Sequence, residues 1–404
     1  MAHIIKCFDC GEEVGNPFVD SCPVCNGILM IELDLDKAAS LRPKDLRRRP
    51  IGVWRYAPFL PVDEIHAISL LEGGTPLYDC HSLANKAGIH SLYVKHEGAN
   101  PTGSFKDRGM TVGVSRAMEL GCKTVGCAST GNTSASLAAY AAKAGLDCVV
   151  LLPSGKVAAG KLAQAMFYGA KVISLDGNFD DALNVVRQLA RDGTLYLLNS
   201  INPFRPEGQK TVAFEIIDQL NFEVPDRIIL PVGNAGNISA VHKAMIEWKS
   251  LGWIDRIPKI TGIQAAGAAP IVKAFRAGED DFVPESNPET VATAIRIGNP
   301  VSGRKALRAL YDTKGYATDV TDDEILVAQR LLGRTEGIGV EPASAASLAG
   351  LLKLIDDGVI DSDERVVCIC TGNVLKDPDT VIANCEPIYE AEASADAVRN
   401  VLGV

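Results

Sequence analysis

The sequence predicts an α/β protein built on two parallel sheets with a cleft between them, preceded by a small cysteine-bearing unit. Three observations carry that prediction. From Ser91 onward, short and continuously apolar runs alternate with amphipathic stretches, the pattern of parallel strands covered on both faces. The 404 residues supply more strand-like segments than one doubly wound sheet needs. Two C-x-x-C pairs lie within the first 25 residues, set apart from the rest of the chain.

Taken in order, residues 1–33 read as a unit of their own, residues 34–64 as a linker, and residues 65–404 as the body, with a smaller α/β unit at about 110–200. The linker carries Arg42-Pro-Lys-Asp-Leu-Arg-Arg-Arg-Pro50 and reads as an exposed connector with a solvated face. Strands are expected at Leu92–Lys95, Thr124–Ala128, Cys148–Leu152, Lys171–Ser174, Arg227–Pro231, Lys259–Gln264 and Arg365–Cys370, with a short one at Leu195–Leu198. Helices are expected at Ser134–Lys143, Gly160–Tyr168, Asp180–Ala190, Gly208–Asp218 and Ile238–Ser250.

Charge and hydropathy exclude some classes of function. The 40 basic and 50 acidic residues give a net charge of −10, which argues against broad affinity for nucleic acid or anionic membrane. No apolar run approaches the roughly 20 residues a membrane helix needs. The start, Met1-Ala-His-Ile-Ile-Lys6, meets a cysteine at once and leaves no room for a signal peptide, so a cytoplasmic location is expected.

Cys7-Phe-Asp-Cys10 and Cys22-Pro-Val-Cys25 are two knuckles that together offer four thiolates, the set Zn²⁺ takes in a closed structural tetrahedron. Gly11 and Asn26-Gly27 follow the pairs, where a left-handed backbone turns amide N–H groups toward sulfur. The expectation is a zinc ribbon with Cys7, Cys10, Cys22 and Cys25 as ligands and no chemistry of its own. The other seven cysteines are scattered, several in apolar runs, and read as buried thiols in a reducing compartment. His66, His81, His90, His96 and His242 fall in no ligand or triad spacing.

Four loops combine glycine, asparagine and hydroxyl residues directly after strands: Glu97–Arg108 with Lys106 at a loop-to-helix junction, Ala128–Thr133, Pro231–Asn237 and Cys370–Asn373. A glycine-rich turn feeding a helix gathers free N–H groups at the positive end of the helix dipole, and so binds an anion. Two such loops imply two anionic groups. Neither G-x-x-x-x-G-K-[ST] nor G-x-G-x-x-G occurs in these places, which weakens nucleotide readings.

These loops carry a resemblance. Asn100-Pro-Thr-Gly-Ser-Phe-Lys-Asp107, Ser129-Thr-Gly-Asn-Thr133, Gly233-Asn-Ala-Gly-Asn237 and Glu341-Pro-Ala-Ser-Ala345 resemble the fold-type-II enzymes that depend on pyridoxal 5'-phosphate (PLP), and within them the threonine synthases. Glu72-Gly-Gly-Thr-Pro76, Asn199-Ser-Ile-Asn-Pro-Phe-Arg205 and Thr371-Gly-Asn-Val-Leu-Lys-Asp-Pro378 extend it, so that it covers about residues 65 to 385. Many threonine synthases lack a zinc ribbon.

The resemblance implies PLP fold type II, with an active-site cleft between the two α/β domains, and a PLP-dependent lyase, commonly homodimeric, that makes L-threonine and phosphate from O-phospho-L-homoserine and water. It implies that Lys106 binds PLP covalently and acts as the catalytic base, that Asn132 bonds the PLP phenolate oxygen, and that Thr371 faces the pyridine nitrogen. Gly233, Asn234, Ala235, Gly236 and Asn237 then cradle the cofactor phosphate, and Ser129, Thr130 and Thr133 hold the substrate carboxylate. Asn199, Ser200 and Arg205 receive the substrate phosphate, with Lys161 as a further residue for that pocket. Glu341 is expected to have a capping or hydrogen-bonding role rather than an acid/base one. Threonine dehydratase and cysteate synthase are alternatives on the same fold, and a binding protein on a retired enzyme fold is the alternative from another class; intact Lys106 and Asn132 argue against the last.

Overall fold

A computed structural model describes residues 3–154 and 159–403. The chain opens with an antiparallel ribbon of β1 (His3–Cys7) and β2 (Leu29–Leu33), registered His3 to Leu33. It then lays down β3 (Leu77–Asp79) and β4 (Ser91–His96), and passes into β5 (Thr124–Ala128), β6 (Asp147–Pro153), β7 (Lys171–Leu175) and β8 (Tyr196–Leu197). It returns through β9 (Arg227–Pro231), β10 (Lys259–Ala265), β11 (Tyr316–Val320) and β12 (Arg365–Cys370).

Two sheets result. The larger runs β11-β10-β9-β12-β4-β3, parallel except for the antiparallel edge strand β3; the smaller runs β7-β6-β5-β8, parallel throughout. Side chains alternate across each strand and so feed two cores. Ile228 and Leu230 enter the core that holds Trp248, while Ile229 between them enters the core on the other face. The same division in the smaller sheet sends Val125 and Cys127 one way and Ala128 the other.

The expected strands are all present, each within two residues of its expected ends. Sequence reading missed β3 and β11. β11 reads Tyr-Ala-Thr-Asp-Val, in which Thr318 and Asp319 interrupt the apolar run that marks its neighbours. The expected helix Gly208–Asp218 begins earlier, as Arg205–Gln209 followed by Thr211–Gln219, because Pro206 fits a first turn, where no N–H is needed.

Residues 34–64 are not an exposed connector. Val53, Tyr56 and Phe59, in a 3₁₀ stretch Val53–Phe59, and Leu60 just after it are fully buried. Tyr56 and Phe59 pack on Phe214 and Trp248, and Phe59 meets Trp253 edge-on. A 3₁₀ turn broken by Pro58 has no period of 3.6 to read, so its apolar content was hidden beside the arginines. The arginine run is paired: Arg47 bonds Asp218 at 2.7 Å and Arg49 bonds Glu64 at 2.8 Å, while the exposed Arg48 lies 3.7 Å from Asp45. Of the seven scattered cysteines, Cys385 is exposed and Cys122 half-buried; the other five are buried as expected.

The candidate active site and its cysteine ribbon

The five loops that matter leave the carboxyl ends of β4, β5, β8, β9 and β12, where open α/β sheets bind their ligands. Lys106 is the first residue of the Lys106–Glu119 helix, and the loop before it is fixed from below by Asp107. The Asp107 carboxylate accepts from Thr102 N at 2.7 Å, Thr102 Oγ1 at 2.6 Å and Ser136 Oγ at 2.6 Å. Burial pushes this carboxyl up to about 6.

Next along the helix, Arg108 is fully buried and holds two carboxylates at once. Its guanidinium donates to Glu97 at 2.6 and 2.7 Å and to Glu215 at 2.8 Å twice, with Thr75 and Thr211 hydroxyls at 3.1 Å. Lys95 completes the group, donating to Glu215, Gln219 and the Thr75 carbonyl. Two cations meet two anions with no side chain exposed, and Gly74 N adds a bond to Glu215. This explains Glu72-Gly-Gly-Thr-Pro76: a Cβ at Gly73 would stand 2.6 Å from Glu215 Oε1, while the Glu72 carboxylate takes the Tyr140 hydroxyl at 2.7 Å. None of these charged residues was singled out from sequence. The signal was charge placed in or beside elements expected to be buried: Lys95 ends an expected apolar strand, Glu97 and Arg108 bound a quoted loop, and Glu215 falls in an expected helix.

Lys106 itself is half-buried, its amine over the Phe105 ring. Burial, then the charge of Arg205, lower it to about 7, against a pull upward from Glu341. The neighbouring loops are stitched together around it. Phe105 N donates to the Thr371 carbonyl at 2.9 Å, Asn373 N to the Gly103 carbonyl at 2.9 Å, and Glu341 N to the Gly372 carbonyl at 3.1 Å. Asn132 opens the Asn132–Ala144 helix and donates through Nδ2 to the Glu341 carboxylate at 3.2 Å. Glu341 makes no capping bond, so its role is to hold Asn132, and a Cβ at Gly372 would collide with it at 2.5 Å. Burial raises the Glu341 carboxyl above its ordinary range. Thr371 is buried and shares a 3.0 Å hydroxyl contact with Ser344.

Arg205 is 1% exposed and donates to the Leu198 carbonyl at 3.2 Å, with no carboxylate beside it and no partner for Nε among the described residues. Burial brings its guanidinium down to about 10. Asn199 is strapped to Ala128: its Oδ1 accepts from Ala128 N and its Nδ2 donates to Ala128 O, both at 2.9 Å. The carbonyl and one N–H are spent joining β5 to β8, which leaves one Nδ2 hydrogen for the expected phosphate contact. Ser200 is half-buried beside it, as are Ser129, Thr130 and Thr133 at the head of the Asn132 helix. Lys161 falls in the helix Ala159–Phe167, but its side chain lies outside the described residues.

Gly233 to Asn237 turn from β9 into the Gly236–Ser250 helix through Ala235 in the left-handed region, φ 62°. The Asn234 carbonyl accepts from Ser302 N at 3.1 Å. Both polar atoms of the Asn237 side chain, in the first turn of that helix, are buried without a partner among the described residues.

In the ribbon, the four cysteine sulfurs lie within 4.8 Å of one another, with Cys7–Cys25 at 3.5 Å and Cys10–Cys22 at 3.6 Å. Tetrahedral Zn–S bonds of about 2.3 Å set sulfurs about 3.8 Å apart, so the cage has the right size. Asp9 N and Val24 N turn toward Cys7 and Cys22 sulfur at 3.4 Å, with Gly11 at φ 78° and Asn26 at φ 58°. The ribbon touches both sheets' helices. Asp20 pairs with Arg187 at 2.7 Å on the smaller side, while Asp9 pairs with Arg304, and Lys305 reaches the Leu29 carbonyl at 3.1 Å, on the larger.

The sequence from 68 to 372 matches the family model "Pyridoxal-phosphate dependent enzyme". The chain is 60% identical over 400 residues to the threonine synthase of Methanocaldococcus jannaschii, covering 98% of each. It is 59% identical over 403 residues to that of Methanosarcina acetivorans, covering 100% of this chain and 99% of the other. In fold it resembles the processed form of threonine deaminase isoform 2 from Solanum lycopersicum, TM-score 0.68 at 21% identity, covering 84% and 96% of the two chains. The fold and the lysine-centred cleft thus define a pyridoxal-phosphate dependent enzyme of fold type II. Within that class the chain belongs to the threonine synthases, which are lyases. The residues fit the cofactor: a lysine amine held near neutrality, an anion cradle with unpartnered buried donors, and a neutral hydroxyl pair at Thr371.

Proposed function

We infer that the chain converts O-phospho-L-homoserine and water into L-threonine and phosphate, by γ-elimination of phosphate and addition of water at Cβ. PLP, when bound, supplies the electron sink for the carbanionic charge both stages create. Lys106 is the attachment residue, and its amine carries protons from Cα and then Cβ. An amine near pH 7 does this without a second base to deprotonate it first. Asn132, fixed by Glu341, keeps a second Nδ2 hydrogen for the cofactor's phenolate oxygen. Ser129, Thr130 and Thr133 take the substrate carboxylate at a helix N-terminus, where first-turn N–H groups are free. Gly233 to Asn237 hold the cofactor phosphate, and Thr371 offers the ring nitrogen a hydroxyl rather than a charge.

The observation that carries the substrate assignment is Arg205. A buried guanidinium with no anionic partner among the described residues, close enough to depress the Lys106 amine, supports an anion site beside the reacting lysine. Its fork suits two phosphate oxygens, with Ser200 as a neutral neighbour. Product analysis tests the reading by offering phosphohomoserine, phosphoserine with sulfite, and threonine separately. Threonine and phosphate from the first substrate alone are expected; cysteate from the second, or a 2-oxo acid as the main product from the third, overturns it.

The ribbon is assigned one structural Zn²⁺ on its four thiolates. The working form is taken as a cytoplasmic homodimer, supported by the family resemblance. Among the described residues no helix is long and apolar enough to cross a membrane.

A further inference from the structure

Gln209 has no place in the assignments above, yet it is 5% exposed and its Oε1 has no hydrogen-bond partner among the described residues. A buried amide oxygen left unbonded is costly, so its setting calls for a partner. It ends the short turn Arg205–Gln209, four residues after Arg205 and on the same side. Its Nε2 would be 3.1 Å from a Cβ on Gly109, one turn along the helix from Lys106. Its Oε1 lies 3.6 Å from the Cβ position of Gly236, the first residue of the Gly236–Ser250 helix. The amide therefore sits over the mouth of the cradle in which Asn237 is also unpartnered. Rotation about the terminal bond exchanges the oxygen for N–H donors at little cost, since the two orientations are near-isosteric.

We propose that Gln209 donates a hydrogen bond to the phosphate held by Gly233 to Asn237, making it a cofactor-binding residue; this rests on the PLP reading of that cradle. The test titrates cofactor-free full-length protein with PLP and, separately, with pyridoxal, which lacks the phosphate, followed by absorbance. Wild-type protein must prefer PLP; equal affinity for the two would overturn the cradle reading itself. Gln209→Met, close in shape but without donors, should weaken PLP about tenfold or more and leave pyridoxal unchanged, the size expected for one bond to a charged group. Gln209→Glu should weaken PLP further by placing a carboxylate beside the phosphate. Gln209→Asn keeps the amide and should fall between wild type and Gln209→Met, which supplies the same readout if the methionine variant does not fold. PLP affinity unchanged in the folded variants, or PLP and pyridoxal affinities falling together, overturns the proposal.

Discussion

At the scale of single residues, the site turns on two cations near enough to feel each other's charge, Lys106 and Arg205. Arg205 and Lys106 repel each other, so removing the first should relieve the second. Arg205→Met is expected to raise the pH at which the Lys106 amine of cofactor-free protein becomes reactive, above about 7. The rate of acylation against pH reads this, and an unmoved midpoint would contradict the coupling. The same depression links to stability. Between about 7 and the ordinary lysine value the unfolded chain binds the extra proton, so the cost of burying Lys106 is full below pH 7 and fades as pH rises. Cofactor-free Lys106→Met should therefore exceed wild type in stability most at low pH, with the gap closing toward pH 10 in urea titrations. In the holoenzyme, Arg205→Ala should cost about 2–5 kcal/mol in kcat/KM for phosphohomoserine while PLP still binds, and Arg205→Lys should recover only part, since a point charge cannot reproduce the fork. Unchanged kinetics in Arg205→Ala would remove the phosphate assignment. Sequence made Lys106 visible in a loop rich in glycine and asparagine, and Arg205 through the resemblance that Asn199–Arg205 carries. Asn199 looked equally apt, but whether a carboxamide faces a ligand or a neighbouring strand depends on a pairing 71 residues away, between Asn199 and Ala128.

At the scale of elements, the Arg205–Gln209 turn and the Lys106 helix touch backbone to backbone. A Cβ on Gly208 would stand 1.8 Å from the Arg108 carbonyl oxygen, so no side chain of either helix can yield to make room. Gly208→Ala should cost more than about 3 kcal/mol or abolish folding. Gly333, within the Asp322–Glu336 helix, meets nothing within 4 Å. Gly333→Ala should stabilise by about 0.5–1 kcal/mol through helix propensity alone. Equilibrium denaturation of the two variants side by side checks both signs. The difference is not legible in the chain, because what a Cβ would meet at either glycine is set by tertiary neighbours. The elements themselves were legible where burial is two-sided, as in β9 with five buried residues running. Sequence failed where a tertiary partner supplies what local pattern lacks: β11 pairs along five residues of β10, and the Val53–Phe59 turn leans on Trp248.

Across the whole molecule, the ribbon bridges the two sheets, with Asp20 on one side and Asp9 on the other. Its β-strands also pack against Phe204, the neighbour of Arg205, with His3 edge-on to that ring. Elemental analysis should find one zinc per chain, and Cys22→Ser should release it. The expected result is a lower melting temperature and faster proteolysis within residues 3–33, with PLP absorbance retained; protein free of metal as isolated, or a disulfide among the four cysteines, contradicts the assignment. The group formed by Lys95, Glu97, Arg108 and Glu215 has a different reach. Each member's charge is balanced within the group, so losing one strands a buried charge at a cost of about 3–5 kcal/mol, whereas an exchange made in concert need not. For the descendants of this sequence that is a rule of inheritance. The four positions cannot drift one at a time, and lineages that differ there should differ at two or more at once, so the history of this fold is recorded at these sites in jumps rather than in single steps.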